Sequence, residues 1–437
     1  MADRREFLRQ AAAGAVGLKF LRKGEKAAPI TFSPNGSPNV PLSPDYIEDI
    51  EGLGRGVGWP GEEGQAPSPY GDMFVMESAP GPETVINGKS YVYFGGTGYF
   101  ALHDHPDVIA AGIEAFRIYG THSATTRAGF GNNPVLLECE RKLADYFGTE
   151  DAVHFVSGYF DGLIMAQALA DKYDIAFIDE TAHFSVRDGI AAARKPFVTF
   201  RHRDPEDLGR KLKGELKAGQ RPLLMTDGIF PTFGVIAPVP EYVKVMEPYG
   251  GIIALDDSHA VGVLGKNGRG TIEHFGLAAG ERLVTAGTLS KAFGGHGGFV
   301  VGSKSLCARI RALGIYSGAT PSPTPAVAAS IKGIEIVKGH PEMRERLWKN
   351  VAAVKGGMRK LGFEMNDTPV PIVTWMMGSA EEMKKAQRTL MERGVAVAYL
   401  KYVGAPEGGV LRASIFSEHT AGHIEMLLSE LSALLKR

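Results

Sequence analysis

The sequence predicts an α/β fold with a mainly parallel central sheet and a smaller C-terminal α+β domain. Between residues 152 and 256, short apolar runs alternate with amphipathic helical stretches, the rhythm of a parallel sheet covered by helices on both faces. A proline-rich stretch at residues 321–325 then interrupts this pattern. The 437 residues also exceed what one hydrophobic core usually spans. We therefore expect a large domain over residues 91–320 and a small domain over residues 321–437.

The elements of the large domain follow from apolar periodicity and turn signals. Asn87-Gly88 predicts a hairpin turn, with residues 91–94 as the returning strand. Helical spacing predicts helices over residues 106–119 and 134–147. Beyond them the alternation predicts strands at 152–156, 175–178, 197–200, 222–227 and 251–256, with helices at 158–170, 185–193, 205–218 and 239–247.

The small domain has a different pattern. A long helical stretch runs from the proline cluster to about residue 360. Three further apolar runs and one amphipathic run predict strands at 371–377, 395–400 and 411–417 and a terminal helix at 420–435. This mixture is typical of an α+β unit.

The first 90 residues are predicted to precede the large domain. Residues 3–9 (D-R-R-E-F-L-R) and the apolar run 11–18 resemble a twin-arginine export signal. The apolar run is short, basic residues follow it at once, and no small-x-small cleavage site is present. Residues 1–26 are therefore predicted as an amphipathic helix of a cytoplasmic protein, with export as the alternative. Residues 27–90, dense in proline and glycine, predict an extended arm.

Composition argues against several classes of protein. The 48 basic and 49 acidic residues give no general electrostatic reason to bind nucleic acid. Two cysteines, Cys139 and Cys307, cannot build a disulfide framework or a cysteine-rich metal site, and no metal is expected. No apolar run reaches the roughly 18 residues of a membrane helix, so no integral membrane segment is expected.

Lys291 is the first candidate catalytic residue. It stands in T-A-G-T-L-S-K-A-F-G-G-H-G-G-F-V-V-G (residues 285–302), between a strand-like run and a glycine-rich turn that leads to a second apolar run. Most lysine side chains lie in water. A lysine placed after a buried strand, beside small and hydroxyl residues, can instead present its amine for a Schiff base.

A second cluster of polar residues follows the predicted strand 251–256. The segment from residue 255 to 270 reads L-D-D-S-H-A-V-G-V-L-G-K-N-G-R-G. Adjacent side chains on a strand face opposite ways. We therefore expect Asp256 to face the site and Asp257 to face away in a structural role, with His259 close by.

These segments resemble the motifs of the α-oxoamine synthases. The segment after residue 255 is similar to the family's D-D-x-H-x-x-G-x-x-G-x-x-G-R-G signature, and T-L-S-K-A-F-G-G-H-G-G to its lysine motif. The other motifs occur in the family's order from about residue 91 to the C-terminus. The resemblance implies a fold-type I transferase that depends on pyridoxal phosphate and joins a small amino acid to an acyl thioester with loss of carbon dioxide.

The resemblance implies a role for each matching residue. Lys291 would bind the cofactor covalently and act as acid and base, and Asp256 would pair with the pyridine nitrogen. His259 would bond the phenolic oxygen, and His183 would stack on the ring. These four form the predicted catalytic set. Residues at a predicted helix start and after a strand would bind the phosphate, namely Ser157, Gly158, Tyr159, Thr288 and Ser290.

The expected substrate site shows changes from the family pattern. Arg412 matches the arginine that holds the substrate carboxylate. Thr97 stands where the family has an asparagine with the same task, and S-G-F-x-x-N becomes S-G-Y-F-D-G, with Asp161 and Gly162. E-G-x-F-S-M-D-G becomes D-G-I-F-P-T-F-G (residues 227–234). The cofactor motifs are kept while the substrate-facing loops differ.

The resemblance predicts an acyltransferase that acts on a small amino acid and an acyl-CoA or acyl-carrier thioester, as a homodimer. The altered loops keep open an aminotransferase, aldolase or lyase of the same fold. A non-catalytic partner subunit of a synthase is a further alternative, against which the retained catalytic residues argue.

Overall fold

The computed structural model describes residues 74–436, together with the backbone of two short antiparallel strands, β1 (Thr31–Phe32) and β2 (Pro38–Asn39). From Phe74 onward the described chain forms one compact unit. The predicted helix or export segment at residues 1–26 and most of the predicted arm at 27–90 lie outside the described residues.

A seven-stranded sheet forms the centre of the fold. Its strands are β5 (Asp151–Phe155), β6 (Ile175–Asp179), β7 (Phe197–Phe200), β8 (Pro222–Asp227), β11 (Ile252–Asp256), β12 (Leu283–Thr288) and β13 (Gly298–Gly302). They lie in the order β5-β13-β12-β11-β8-β6-β7. Only β13 is antiparallel to its two neighbours, so the predicted α/β fold with a mainly parallel sheet is confirmed. A separate hairpin pairs β9 (Ile229–Phe230) with β10 (Val235–Ile236).

Helices cover the sheet on both faces. Successive strand residues point to opposite sides, so that Ile178 packs with Val186 on one face while Phe177 packs with Leu208 on the other. The helices up to residue 317 are α1 (Pro106–Tyr119), α2 (Pro134–Phe147), α3 (Asp161–Ala168), α4 (Phe184–Ala192), α5 (Pro205–Glu215), α6 (Val239–Met246), α7 (Thr271–His274), α8 (Lys304–Ala312) and α9 (Gly314–Ser317). Short 3₁₀ helices lie at Leu102–Asp104, Gly158–Phe160 and Glu247–Tyr249.

Two small sheets contain the remaining strands. The elements are α10 (Thr324–Gly339), α11 (Pro341–Lys360), β14 (Ile372–Trp375), α12 (Ala380–Glu392), β15 (Val395–Ala396), β16 (Ala398–Leu400), β17 (Val410–Ser414) and α13 (Ala421–Leu435). One sheet has the order β14-β17-β16. In the other, β15 pairs parallel with β4 (Lys89–Tyr93), which also pairs with β3 (Glu83–Ile86). The N-terminal hairpin is therefore joined to C-terminal strands, and the division at residue 320 stays a prediction.

Three local predictions can be compared with the structure. The hairpin turn is confirmed: Asn87 has φ 48° and Gly88 has φ 75°, the positive values of a type I′ turn. The single strand expected at 395–400 is wrong, because the run splits into β15 and β16 in different sheets. The long helical stretch predicted before residue 360 is confirmed and consists of two helices, since Pro341 begins α11 and cannot donate the backbone hydrogen bond that would continue α10.

The turn after Lys291 rests on α10. The Ser330 hydroxyl accepts a hydrogen bond from the backbone N–H of His296 at 2.9 Å. At Gly333, a Cβ atom would lie 1.8 Å from the backbone oxygen of Phe293. Glycine in the helix therefore allows the lysine turn to approach it closely.

This contact predicts that Gly333→Ala destabilises the protein. The added methyl group meets a backbone carbonyl, and overpacking of this kind costs about 1–3 kcal/mol. Gly356→Ala in α11 is the matched control, because its Cβ would have no neighbour within 4 Å. The control is expected to gain up to about 1 kcal/mol from better helix propensity. Chemical denaturation measures both changes, and a Gly333→Ala variant as stable as Gly356→Ala would contradict the account.

Candidate active site

A cavity of about 190 Å³ lies at the carboxyl ends of the central strands, where ligands bind in sheets of this kind. All nine residues predicted to contact the cofactor line it: Ser157, Gly158, Tyr159, His183, Asp256, His259, Thr288, Ser290 and Lys291. Ser185, Asp227 and Ser258, which the sequence did not single out as site residues, line it as well. A larger cleft of about 570 Å³ contains none of these residues.

Lys291 follows β12 and faces acidic side chains. Burial lowers the pKa of the Lys291 amine, while the carboxyl groups of Asp256, Asp161 and Asp227 act in the opposite direction. The nearby Arg412 guanidinium lowers this pKa further. An amine with a lowered pKa is a better nucleophile at neutral pH, which suits attack on a carbonyl group.

Three buried acids surround this amine. Asp227 ends β8 and Asp256 ends β11, and the two are register partners in the parallel sheet. Asp161 begins α3, is fully buried, and accepts a hydrogen bond from the Ser258 hydroxyl at 3.4 Å. Burial, and then the charge of Asp256, raises the pKa of both Asp161 and Asp227 well above the usual range. Both shifts favour the neutral form of these two acids beside Asp256.

The two adjacent aspartates have separate environments, as predicted. Asp256 accepts from the backbone N–H of Ser258 at 3.1 Å and from the Ser185 hydroxyl at 3.3 Å, inside the cavity. Asp257 instead accepts from the backbone N–H and the hydroxyl of Thr271 at 2.7 and 2.5 Å. Asp257 thus anchors the start of α7.

The two site histidines are neutral. His183 precedes α4, and its backbone N–H donates to Asp227 Oδ2 at 2.8 Å. His259 Nδ1 lies 2.7 Å from the Tyr99 hydroxyl. Burial is the main cause that lowers the pKa of each imidazole, followed for His259 by the charge of Lys291. Neutral rings of this kind can stack on, or hydrogen-bond to, a flat ligand.

A turn beside Thr288 provides space for an anion. Ser157 caps the 3₁₀ helix that starts at Gly158, and its hydroxyl accepts from the Tyr159 N–H at 3.2 Å. A Cβ atom at Gly158 would lie 2.8 Å from the Thr288 Cβ, so only glycine fits here. The Thr288 and Ser290 hydroxyls are 2.7 Å apart. Backbone N–H groups and hydroxyls in such a turn suit a phosphate.

Arg412 and Thr97 do not line this cavity. Arg412 lies in β17, where its Nη1 donates to the Pro231 carbonyl at 3.3 Å, and its buried Nε has no hydrogen-bond partner among the described residues. Thr97 is half-buried in the loop after β4. The Ser414 hydroxyl of β17 donates to the neighbouring Gly96 carbonyl at 2.7 Å, which holds this loop beside Arg412's strand.

Within the part of the chain that the structure describes, residues 74–436, no group of three or more histidine, cysteine, aspartate or glutamate side chains is arranged to hold a metal ion. No helix in this range is long and apolar enough to cross a membrane.

The fold is that of the fold-type I transferases. The chain belongs to the aminotransferase class I and II family, whose profile matches residues 96–431. It is 36% identical to the 8-amino-7-oxononanoate synthase of Thermoanaerobacter pseudethanolicus over 362 residues, which is 82% of this chain and 91% of the relative. It is 34% identical to the 8-amino-7-oxononanoate synthase 1 of Bacillus velezensis, over 83% of this chain and 93% of that protein.

Solved structures agree with these relatives. A serine palmitoyltransferase variant from S. paucimobilis, with a bound PLP–myriocin aldimine, has a TM-score of 0.79 and 33% identity, over 83% of this chain and 92% of that chain. A serine palmitoyltransferase structure described as holding a PLP internal aldimine gives the same values. Both enzyme types are α-oxoamine synthases, so the predicted resemblance to that family is confirmed.

The buried acids predict a pH-dependent effect of Asp161→Asn. Above about pH 4 the unfolded chain has lost the Asp161 proton, while the raised pKa lets the folded chain keep it to a higher pH, so this group makes wild-type stability fall as pH rises. Asparagine has no such dependence. The stability advantage of Asp161→Asn over wild type should therefore grow by up to about 1.4 kcal/mol per pH unit.

Chemical denaturation of the cofactor-free protein between about pH 5 and pH 8 measures this difference. Comparing the variant with wild type cancels the contribution of the other titrating groups. An advantage that stays constant across this range would show that Asp161 is ionised in the folded protein.

Proposed function

We propose that the protein is a pyridoxal-phosphate-dependent acyltransferase that condenses a small amino acid with an acyl thioester. The products are an α-amino ketone, carbon dioxide and the free thiol. The observation that carries this proposal is the arrangement of Lys291 among three carboxyl groups and two neutral histidines at the strand ends. The family of the chain supports the same chemistry.

The residues of the cavity fit the cofactor. When bound, pyridoxal phosphate supplies an electron sink for the pair released at the amino acid's α-carbon. Lys291 would be the residue for covalent attachment and proton transfer, and Asp256 would keep the pyridine nitrogen protonated. His183 would stack on the ring, and His259 would hydrogen-bond to its phenolic oxygen. Ser157, Gly158 and Tyr159 would hold the phosphate, with the hydroxyls of Thr288 and Ser290.

Arg412 fits the carboxylate of the amino acid. Its buried Nε lacks a partner among the described residues, and a guanidinium binds a carboxylate through two parallel hydrogen bonds. Thr97 lies on the neighbouring loop and adds a hydroxyl in place of the family's asparagine. Binding through the carboxylate fixes which bond at the α-carbon the protein presents for cleavage.

The acyl carrier and the location of the protein are narrower proposals. The acyl group is expected on coenzyme A or on a carrier protein, since both present a thioester. A cytoplasmic location also stays a prediction. The export alternative depends on residues 1–26, which lie outside the described residues.

A homodimer is proposed because the described residues leave an apolar stripe on α1 exposed. Ile109, Ile113 and Phe116 recur at helical spacing and are 45%, 48% and 53% exposed. Phe130, in the loop that follows α1, is 94% exposed. Contiguous apolar surface of this kind usually marks a protein interface, and a second copy of the chain would bury it.

Ile113→Lys is therefore expected to convert the dimer into a monomer, because it places a charge in the buried interface. Light scattering coupled to gel filtration measures the mass. Met376→Lys is the control, since Met376 is 55% exposed but lies outside α1. A wild-type protein that runs as a monomer at micromolar concentration would contradict the proposed dimer.

The activity is tested with the cofactor-loaded full chain, a panel of small amino acids and an acyl-CoA. We expect thiol release that depends on the amino acid and is matched by carbon dioxide. Lys291→Ala should reduce turnover by at least roughly a hundredfold, because it removes the acid-base group. Lys385→Ala, a change at an exposed lysine of α12, should leave turnover unchanged.

Other outcomes favour the alternatives. Amino-group transfer to a keto acid without thiol release would identify an aminotransferase. A purified protein that never takes up pyridoxal phosphate would favour the non-catalytic subunit. Arg412→Lys tests the carboxylate site: it should raise KM for the amino acid roughly tenfold or more, since it loses a charged two-point contact, and leave KM for the thioester unchanged.

A further inference from the structure

A loop from the small sheet reaches His183. Residues 401–409 connect β16 with β17, and they place the Tyr402 hydroxyl 2.6 Å from His183 Nε2. The Tyr402 ring also packs edge-on against Phe184, with centroids 5.4 Å apart. Tyr402 is 219 residues from His183 in the sequence.

The loop is fixed from several sides. The Thr232 hydroxyl donates to the Val403 carbonyl at 2.5 Å, and the Tyr399 hydroxyl donates to the Gly408 carbonyl at 2.9 Å. Gly404 has φ 77° and lies against Thr181, where a Cβ atom would come within 2.9 Å of the threonine Cβ. These contacts hold Tyr402 in one place beside the imidazole.

The other ring nitrogen of His183 connects to the site carboxylate. Nδ1 accepts a hydrogen bond from the backbone N–H of Ser185 at 3.2 Å. The Ser185 hydroxyl lies between Nδ1, at 2.7 Å, and Asp256 Oδ2, at 3.3 Å. Because a backbone N–H can only donate, Nδ1 is the lone-pair nitrogen of the neutral imidazole. Nε2 then carries the proton and donates it to the Tyr402 hydroxyl.

Tyr402, His183, Ser185 and Asp256 therefore form one connected series of polar contacts. Within it, the Tyr402 hydroxyl accepts the Nε2 proton of the imidazole, and the Ser185 backbone N–H holds Nδ1.

We propose that Tyr402 is a positioning residue for this active site. By accepting the Nε2 proton, its hydroxyl fixes the orientation of the His183 ring, while the Ser185 backbone N–H fixes the tautomer. The role assigned to His183 makes this inference rest on the proposed function. The loop 401–409 thus connects the strand that carries Arg412 with the residues expected to hold the cofactor ring.

The first test compares Tyr402→Phe with wild type in the loaded full chain. Loss of one hydrogen bond should raise the dissociation constant for pyridoxal phosphate roughly three- to tenfold and lower kcat by a similar factor. KM for the thioester should not change. Tyr242→Phe is the control: the Tyr242 hydroxyl has no hydrogen-bond partner among the described residues, so both quantities should stay within twofold of wild type.

The second measurement needs no cofactor. Nitrogen-15 NMR of histidine-labelled protein, with His183 assigned by a His183→Gln variant, reports which ring nitrogen carries the proton. We expect the proton on Nε2 in wild type, and an Nε2 resonance that shifts in Tyr402→Phe because the hydroxyl that accepts this proton is lost.

Two results would overturn the proposal. One is a wild-type His183 with its proton on Nδ1. The other is a Tyr402→Phe variant that matches wild type in cofactor affinity while Tyr402→Ala loses it, because ring packing and not the hydroxyl would then be responsible. A wild-type enzyme without thiol release would refute the proposed acyl transfer alone, since affinity and tautomer are measured independently of that reaction.

Discussion

The chemistry of the active site depends on the position of one lysine amine, which is largely removed from water and lies among three carboxyl groups. A buried ammonium or carboxylate is costly unless it is paired, and the pKa values shift to reduce the cost. Here burial lowers the pKa of Lys291 and, together with the charge of Asp256, raises the pKa of Asp161 and Asp227. The site thus presents an amine of lowered pKa and the carboxyl group of Asp256. Those are the two groups that pyridoxal phosphate chemistry requires of a protein.

The parallel sheet produces this arrangement directly. Asp227 and Asp256 end neighbouring strands in register, and Lys291 follows the next strand, β12. Side chains at these ends meet because parallel strands finish at the same edge. The lysine turn is then supported from behind by α10 through Ser330 and Gly333. Strand order and one close helix contact thus determine where the amine lies.

Much of this could be read from the sequence because the relevant signals are local. The period of two along a strand separated Asp256 from Asp257, and the structure places them as expected. Features that depend on contacts between residues far apart in the sequence were not predicted. Residues 395–400 look like one strand, but pairing with β4 on one side and β17 on the other divides them. Asp161 was noticed only as a departure from a motif, and Tyr402 carries no local pattern that connects it with His183.

Lys291 is proposed to bind pyridoxal phosphate covalently. This attachment is tested by reducing the loaded protein with borohydride, digesting it and identifying the modified peptide by mass spectrometry. We expect the pyridoxyl group on Lys291, and none in Lys291→Ala. A pyridoxyl group on another lysine of the wild-type protein, or on no lysine, would contradict it.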